Sequence, residues 1–424
     1  MFGPEAQTEL ARAFAVIRRY LVWQHRWTGL LMTVFLIAIG LSGSLLVYRV
    51  PLDRMLNPQL FALVHSDRPS LSLSDLAVAA EQAEPRARVA YLANYIPGHA
   101  EIECAPRIDP AVHRPYNLDF DRLVLDPATG RVLGRRREGD WSHLRLNALS
   151  IVNSVHTSLA AGPLGSAIVG YVGIVWTIDC FVGFILTLPA GSNGFFQRWR
   201  VAWQLRFRSG TFRALFDIHR AGGLWLWPLL FMFAWSGVML SNMPIYDKVT
   251  GALFDYSSDL DFVMHYPVHE IQHPKLDWKA AERRGEQLMR QVAAKRGWLI
   301  ERPFAVGYIE KFGVYSYDVI TDHDFRRRGF GTGVWFDGDT GALTHVWLMS
   351  GEHRGNTLSN WLVALHYGDV YESNVYRLLV FLAGLATCVL AATGVYLWGR
   401  KRRLRRQTPA SILPLSSRGQ TPST

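Results

Sequence analysis

Apolar positions are segregated along this chain into four long runs, at about 27–50, 166–188, 224–242 and 376–398. Each supplies roughly 20 mainly apolar residues, the length a helix needs to cross a hydrocarbon core about 30 Å thick. The sequence between them has shorter periods. Amphipathic helices are expected after a cap-like residue at Leu71-Ser-Leu-Ser-Asp-Leu-Ala-Val-Ala-Ala and at Leu276-Asp-Trp-Lys-Ala-Ala-Glu-Arg. Alternating runs at 88–96 and 314–321 read as strands. Asp-Pro-Ala-Thr-Gly (126–130) and Asp-Gly-Asp-Thr-Gly (337–341) read as hairpin turns with Gly at the positive-φ position. The pattern predicts a membrane protein with a four-transmembrane-helix bundle and two α+β modules, each a helix on an antiparallel sheet.

The expected organisation is an N-terminus and first span (1–50), a first module (51–143), and an interfacial helix with the second span (144–190). A basic loop (191–218), the third span (219–242), a second module (243–350), and an interfacial helix with the fourth span (351–399) follow. The tail (400–424) is rich in Ser, Pro and Thr after Arg406 and is expected to be disordered.

Charge orients this arrangement. Residues 1–26, 190–220 and 399–424 together hold seventeen basic and three acidic residues, a net of +14 within an overall +10. Basic residues beside spans mark the cytoplasmic side. Both termini and the 190–220 loop are therefore expected in the cytoplasm. The long segments 51–165 and 243–375 are expected outside, in the periplasm of a Gram-negative cell. The basic excess is a topology signal and no sign of nucleic-acid binding. The first apolar run is too long for an ordinary signal-peptide core, so it reads as an uncleaved anchor. Cys180 and Cys388 fall in spans and Cys104 outside, which excludes a disulfide framework and any cysteine metal motif.

The chain reads as a tandem duplication. His25 opens HRWTGL and His219 opens HRAGGL, each followed at the same distance by Ser-Gly (Ser42-Gly43 and Ser236-Gly237). His156 matches His366, and Gly183-x-x-Leu186 matches Gly394-x-x-Leu397. Each half crosses twice, so the copies face the same way about an axis along the membrane normal.

Fourteen histidines are present, and four stand apart by position. His25 and His219 lie at the cytoplasmic mouths of spans one and three. His156 and His366 lie outside, in helical runs (144–159 and 358–367) that enter spans two and four. An imidazole beside an apolar span is costly without a partner. Two neutral imidazoles facing each other across a bundle make a site for one haem iron. A span is about 30 Å long, so an inner and an outer histidine cannot share one iron. The pairings are His25 with His219 and His156 with His366, two bis-histidine haem b sites. Gly29 and Gly223 lie one turn deeper on the same faces and leave room for a porphyrin, though small residues there also suit close helix packing. Arg26 and Arg220 stand where haem propionates need neutralising, and where arginine is expected at a span end in any case.

Other candidates carry less. His265, His269 and His273 share a spacing of four, but Pro267 argues against a regular helix, so a solvated segment is expected. Asp179 inside span two is by default a functional candidate, which could accept a proton, pair with an arginine or hydrogen-bond to a neighbouring threonine, and the last is the expectation. The tryptophans of span three (Trp225, Trp227 and Trp235) read as interface anchors and packing residues. The glycine-rich GFGTG (329–333) precedes a strand and is no nucleotide loop.

The order of HRxxGL, a helix–strand–D-x-x-T-G module and a Leu/Val-His before the return span resembles the PepSY-associated transmembrane helix family. These are bacterial iron-regulated inner-membrane proteins that include ferric-siderophore reductases. The resemblance spans roughly 18–403. It implies PepSY-like modules and a haem-bearing bundle that passes electrons to periplasmic iron chelates. One departure stands out. His156 is followed by the expected Gly-rich turn (161–165), whereas His366 is followed by Tyr-Gly-Asp-Val-Tyr-Glu-Ser. No Rossmann or flavin fingerprint is visible, so the electron donor is expected to be another protein or membrane quinol. The expectation is a di-haem carrier that reduces ferric-siderophore, embedded in the lipid bilayer. The alternatives are a membrane-anchored PepSY binding protein without a redox centre, and a haem subunit of another redox enzyme.

Overall fold

The computed structural model describes residues 4–62, 69–191, 193–329 and 331–407. Of the tail expected to be disordered from residue 400, residues 400–407 continue a helix, and the rest lies outside the described residues. The chain opens with a long helix α1 (Pro4–Leu46), then α2 (Arg49–Leu56) and α3 (Leu73–Ala83). Strands β1 (Ala87–Ile96), β2 (His99–Pro106), β3 (Ile108–Asp109), β4 (Arg114–Pro115), β5 (Arg122–Leu125) and β6 (Val132–Arg136) follow. Next come α4 (Ala148–Ser158), α5 (Gly162–Thr187), α6 (Phe195–Arg200), α7 (Thr211–Ser241), α8 (Met243–Leu253) and α9 (Asp259–His265). Then α10 (Trp278–Arg296) leads into β7 (Ile300–Ile309), β8 (Val314–Thr321), β9 (Thr332–Asp337) and β10 (Leu343–Trp347), before α11 (Arg354–Tyr367) and α12 (Asn374–Gln407).

Helices α1, α5, α7 and α12 are long and apolar enough to cross a membrane, over Arg12–Leu46, Gly162–Thr187, Thr211–Ser241 and Asn374–Leu404. The protein is a multi-pass membrane protein. Two spans begin earlier than their apolar runs suggest, at Arg12 instead of residue 27 and at Thr211 instead of 224. Neither Pro nor Gly interrupts residues 12–28 or 211–221, and arginine is a good helix former, so the helices run through the charged stretches. His25 and His219 therefore sit inside long helices and not at their mouths.

The chain forms two compact units, one of residues 1–37, 178–228 and 386–424 and the other of residues 38–177 and 229–385. In the first, Arg18 Nη2 donates to the Leu186 carbonyl at 2.8 Å, satisfying a carbonyl that the end of α5 leaves open. Asp217 is fully buried and gathers Arg206, Arg213 and Arg220. Trp227 Nε1 donates to the Cys180 carbonyl at 2.9 Å, so this tryptophan ties α7 to α5.

The second unit contains one eight-stranded antiparallel sheet in the order β10-β9-β8-β7-β1-β2-β5-β6. The segments expected as two modules each supply four strands, and they join through β1 and β7, where Tyr91 faces Gly307, Leu92 faces Val306 and Ala93 faces Ala305. Joining removes two exposed strand edges, each a row of unpaired backbone groups. The turns fall where the Gly pattern places them, with Gly130 at φ +70 and Gly341 at φ +69. Helix α3 starts at Ser72, whose hydroxyl accepts from Asp75 N, and α10 at Asp277, whose carboxylate accepts from Ala280 N. Both helices pack on one face of the sheet, burying Leu76, Leu288 and Met289 against Leu92, Ile102 and Phe336.

Gly285 of α10 lies against the buried ring of Tyr317, and a Cβ there would run into that ring. Helix propensity alone favours Ala over Gly by about 1 kcal/mol, but overpacking a core costs about 1–3 kcal/mol. Gly285→Ala is expected to lower the thermal unfolding midpoint, whereas propensity alone would raise it.

Candidate functional site

The four singled-out histidines form two close pairs, one within each unit. His25 of α1 and His219 of α7 have ring centres 6.2 Å apart, and His156 of α4 and His366 of α11 have theirs 6.1 Å apart. Helices α4 and α11 are separate from the spans that follow, because each ends on a left-handed residue, Leu159 (φ 51) and Gly368 (φ 67). The turn after His366 thus closes its helix as the turn after His156 does, despite its different sequence.

Every one of these imidazoles is anchored through Nδ1. His156 Nδ1 lies 3.0 Å from the Ile39 carbonyl and 3.1 Å from Ser42 Oγ. His219 Nδ1 lies 3.0 Å from the Leu390 carbonyl and 3.1 Å from Thr393 Oγ1. His366 Nδ1 lies 2.7 Å from Ser236 Oγ, whose own proton goes to the Met232 carbonyl at 2.6 Å. His25 Nδ1 lies 3.0 Å from Asp179 Oδ1. A carbonyl or carboxylate only accepts, so each Nδ1 carries a proton, and the neutral form of each ring then has its lone pair on Nε2. Among the described residues none hydrogen-bonds any of the four Nε2 atoms. Burial also pushes the imidazoles outside the spans down, His366 to about 3 with His156 as a second cause, so both rings are neutral at ordinary pH.

Neutral, Nδ1-anchored rings are what a metal needs from histidine. Two metal–nitrogen bonds of about 2.0 Å, plus roughly 1.2 Å from each ring centre to its nitrogen, span about 6.4 Å. The observed 6.2 and 6.1 Å separations therefore fit one iron between each pair. The glycines agree with the fit. A Cβ at Gly29 or Gly223 would meet no atom within 4 Å, so those helix faces are open to a flat group. Gly43, Gly183 and Gly394 are the ones pressed against the rings of His156, His25 and His219, with Cβ-to-ring approaches of 2.8, 3.4 and 3.3 Å.

Several anchoring residues escape sequence reasoning. The repeated Ser-Gly pair is visible in the sequence, but its role as acceptor for His156 and His366 appears only in the fold. Asp179 corrects an expectation: its carboxylate accepts from His25, and from Gln24 Nε2 at 3.4 Å, and does not pair with a threonine. The neighbouring Thr177 hydroxyl instead donates to the Gly173 carbonyl in its own helix. Arg220 is held by Asp217 Oδ1 and the Val201 carbonyl, both at 2.8 Å. Arg26 is half-buried next to His25 on α1. Helix α9 ends at His265, so His265, His269 and His273 do not share a helical face, and no group of three metal-ligating side chains occurs among the described residues.

The sheet's other face carries a cleft of about 1030 Å³, lined by Tyr91, Asp318, Trp335, Trp347, Asn356 and Asn360, among others. Helix α11, which carries His366, forms one wall. Of GFGTG, Gly333 faces Asp318 in the ladder and leaves room for its carboxylate.

The family described as PepSY-associated TM region matches residues 22–401. The chain belongs to this family. The match takes in both histidine pairs and the whole sheet. The chain is also similar to an uncharacterized protein of Pseudomonas aeruginosa, at 26% identity over 288 residues, covering 64% of this chain and 68% of that protein.

Burial pushes the Asp318 carboxyl up to about 7, although the Tyr91 hydroxyl donates to it at 3.3 Å. The folded protein keeps this proton over a pH range where the unfolded chain, with a carboxyl near 3.9, has lost it. Stability from this group is therefore full below pH 4 and falls as pH rises toward 7. Asp318→Asn, which binds no proton, should raise the thermal midpoint relative to wild type more at pH 8 than at pH 5.

Proposed function

We propose that this protein is a di-haem electron carrier of the bacterial inner membrane that delivers electrons to ferric-siderophore in the periplasm. Both termini lie in the cytoplasm in this reading, as the basic span flanks favour, and the sheet unit lies outside. The observation that carries it is the fourfold pattern of Nδ1-anchored histidines in pairs spaced for one iron each. Haem b bound at each pair supplies one-electron transfer. The chain's own residues do the rest. The two imidazoles of each pair would hold the iron between them, which suits electron transfer and not oxygen binding. The Nδ1 bonds fix each ring's tautomer and orientation. Gly29 and Gly223 keep the porphyrin face clear, and Arg26 is the freer of the two arginines for a propionate, since Arg220 also serves Asp217.

The cleft is the docking place for the chelate. Trp335 and Trp347 give it aromatic walls, and Asn360 of α11 lies six residues before His366, about 9 Å along the helix. Ferric iron in a siderophore is held by hard oxygen donors. One added electron lowers its charge and weakens that grip, releasing Fe(II) for uptake, so no nucleophile or general base is required. Electrons enter from quinol or a cytoplasmic partner. The matched halves, with the same element order around β1 and β7, support a tandem duplication of one span–module–span unit with PepSY-like modules. A purely binding role would use the cleft but has no use for four anchored histidines. A subunit serving another enzyme would not need a cleft of its own.

The test is anaerobic. The purified full chain, reduced with dithionite and freed of excess reductant, is mixed with a ferric hydroxamate chelate and an Fe(II) trap. Reoxidation of the haem band with equivalent trapped Fe(II) is expected. A reduced band that persists in the presence of the chelate rules the reductase reading out.

A further inference from the structure

The four Nδ1 anchors differ in charge. His156, His219 and His366 give their Nδ1 protons to neutral acceptors, namely carbonyls of Ile39 and Leu390 and hydroxyls of Ser42, Thr393 and Ser236. His25 alone gives its proton to a carboxylate, that of Asp179. Asp179 is 6% exposed and lies within the span Gly162–Thr187. Among the described residues its ion-pair partner is His25, with no Lys or Arg. A buried carboxylate without a permanent cation is costly in this setting, and such residues in spans default to function.

A carboxylate behind a ligating imidazole makes the ring a stronger donor and adds negative charge near the metal. Both effects stabilise Fe(III) over Fe(II). We propose that Asp179 is a positioning residue that gives the His25–His219 site the lower reduction potential of the two, so that electrons run downhill from that pair to the His156–His366 pair. This inference rests on the di-haem reading and adds to it a direction of flow built into one side chain.

The experiment is spectroelectrochemistry of the full chain in detergent, wild type against Asp179→Asn. The substitution keeps an oxygen that accepts from Nδ1–H and removes the charge. The wild type is expected to show two one-electron waves, and D179N to move only the lower wave upward, by at least tenfold in its equilibrium constant, or about 59 mV. The higher wave should stay in place. A lower wave that does not move, or two waves that move together, overturns the role of Asp179. Should D179N not retain haem, single-site variants decide the point. His366→Ala leaves the carboxylate-backed site and is expected to retain the lower wave, and His219→Ala the higher; the reverse order overturns the proposal. A wild-type protein without haem would instead sink the underlying reading.

Discussion

The structure depends on one constraint: an imidazole packed among membrane helices must find an acceptor for its N–H. Water is scarce there, and an unpaired polar group costs several kcal/mol in hydrocarbon. Four helices meet this cost at Nδ1, with acceptors drawn from the neighbouring helix and not from the histidine's own. His156 reaches from α4 to the Ile39 carbonyl of α1, and His219 from α7 to the Leu390 carbonyl of α12. These bonds bind the helices and orient the rings at once. They also leave Nε2 as the remaining nitrogen on every ring, which turns a packing solution into four potential metal ligands.

The same economy accounts for the small residues. A ring that must reach across to an acceptor needs a gap in the facing helix, and Gly43, Gly183 and Gly394 provide it. Ser42 and Ser236 are also bonded to carbonyls one turn back in their own helices, so each hydroxyl spends its proton locally and presents a lone pair to histidine. Asp179 replaces this neutral arrangement with a charged one at a single site.

Much of this was legible in the sequence where the signal is local or repeated. Spans, hairpin turns and the two amphipathic helices follow from periodicity, capping residues and glycine, and the paired HRxxGL and the outer histidines follow from the internal repeat. What was not legible depends on contacts between distant positions. Asp179 meets His25 across 154 residues, and Ser42 meets His156 across 114. The carbonyls of Ile39 and Leu390 have no side-chain identity to read. The fusion of two expected modules into one sheet is a backbone pairing of β1 with β7, which no hydrophobic alternation within either strand specifies. Span starts were placed too late for the converse reason: hydropathy finds the apolar run, whereas the helix continues until a breaker stops it.

The central claim is that each histidine pair holds one haem iron. Haem content per chain, measured together with the electron paramagnetic resonance of the oxidised full-length protein, tests it most directly. The account predicts two b-type haems per chain, both low-spin as bis-histidine ligation requires, with one of them lost when either pair loses a histidine. A colourless protein, or two haems retained after all four histidines are replaced, would contradict it.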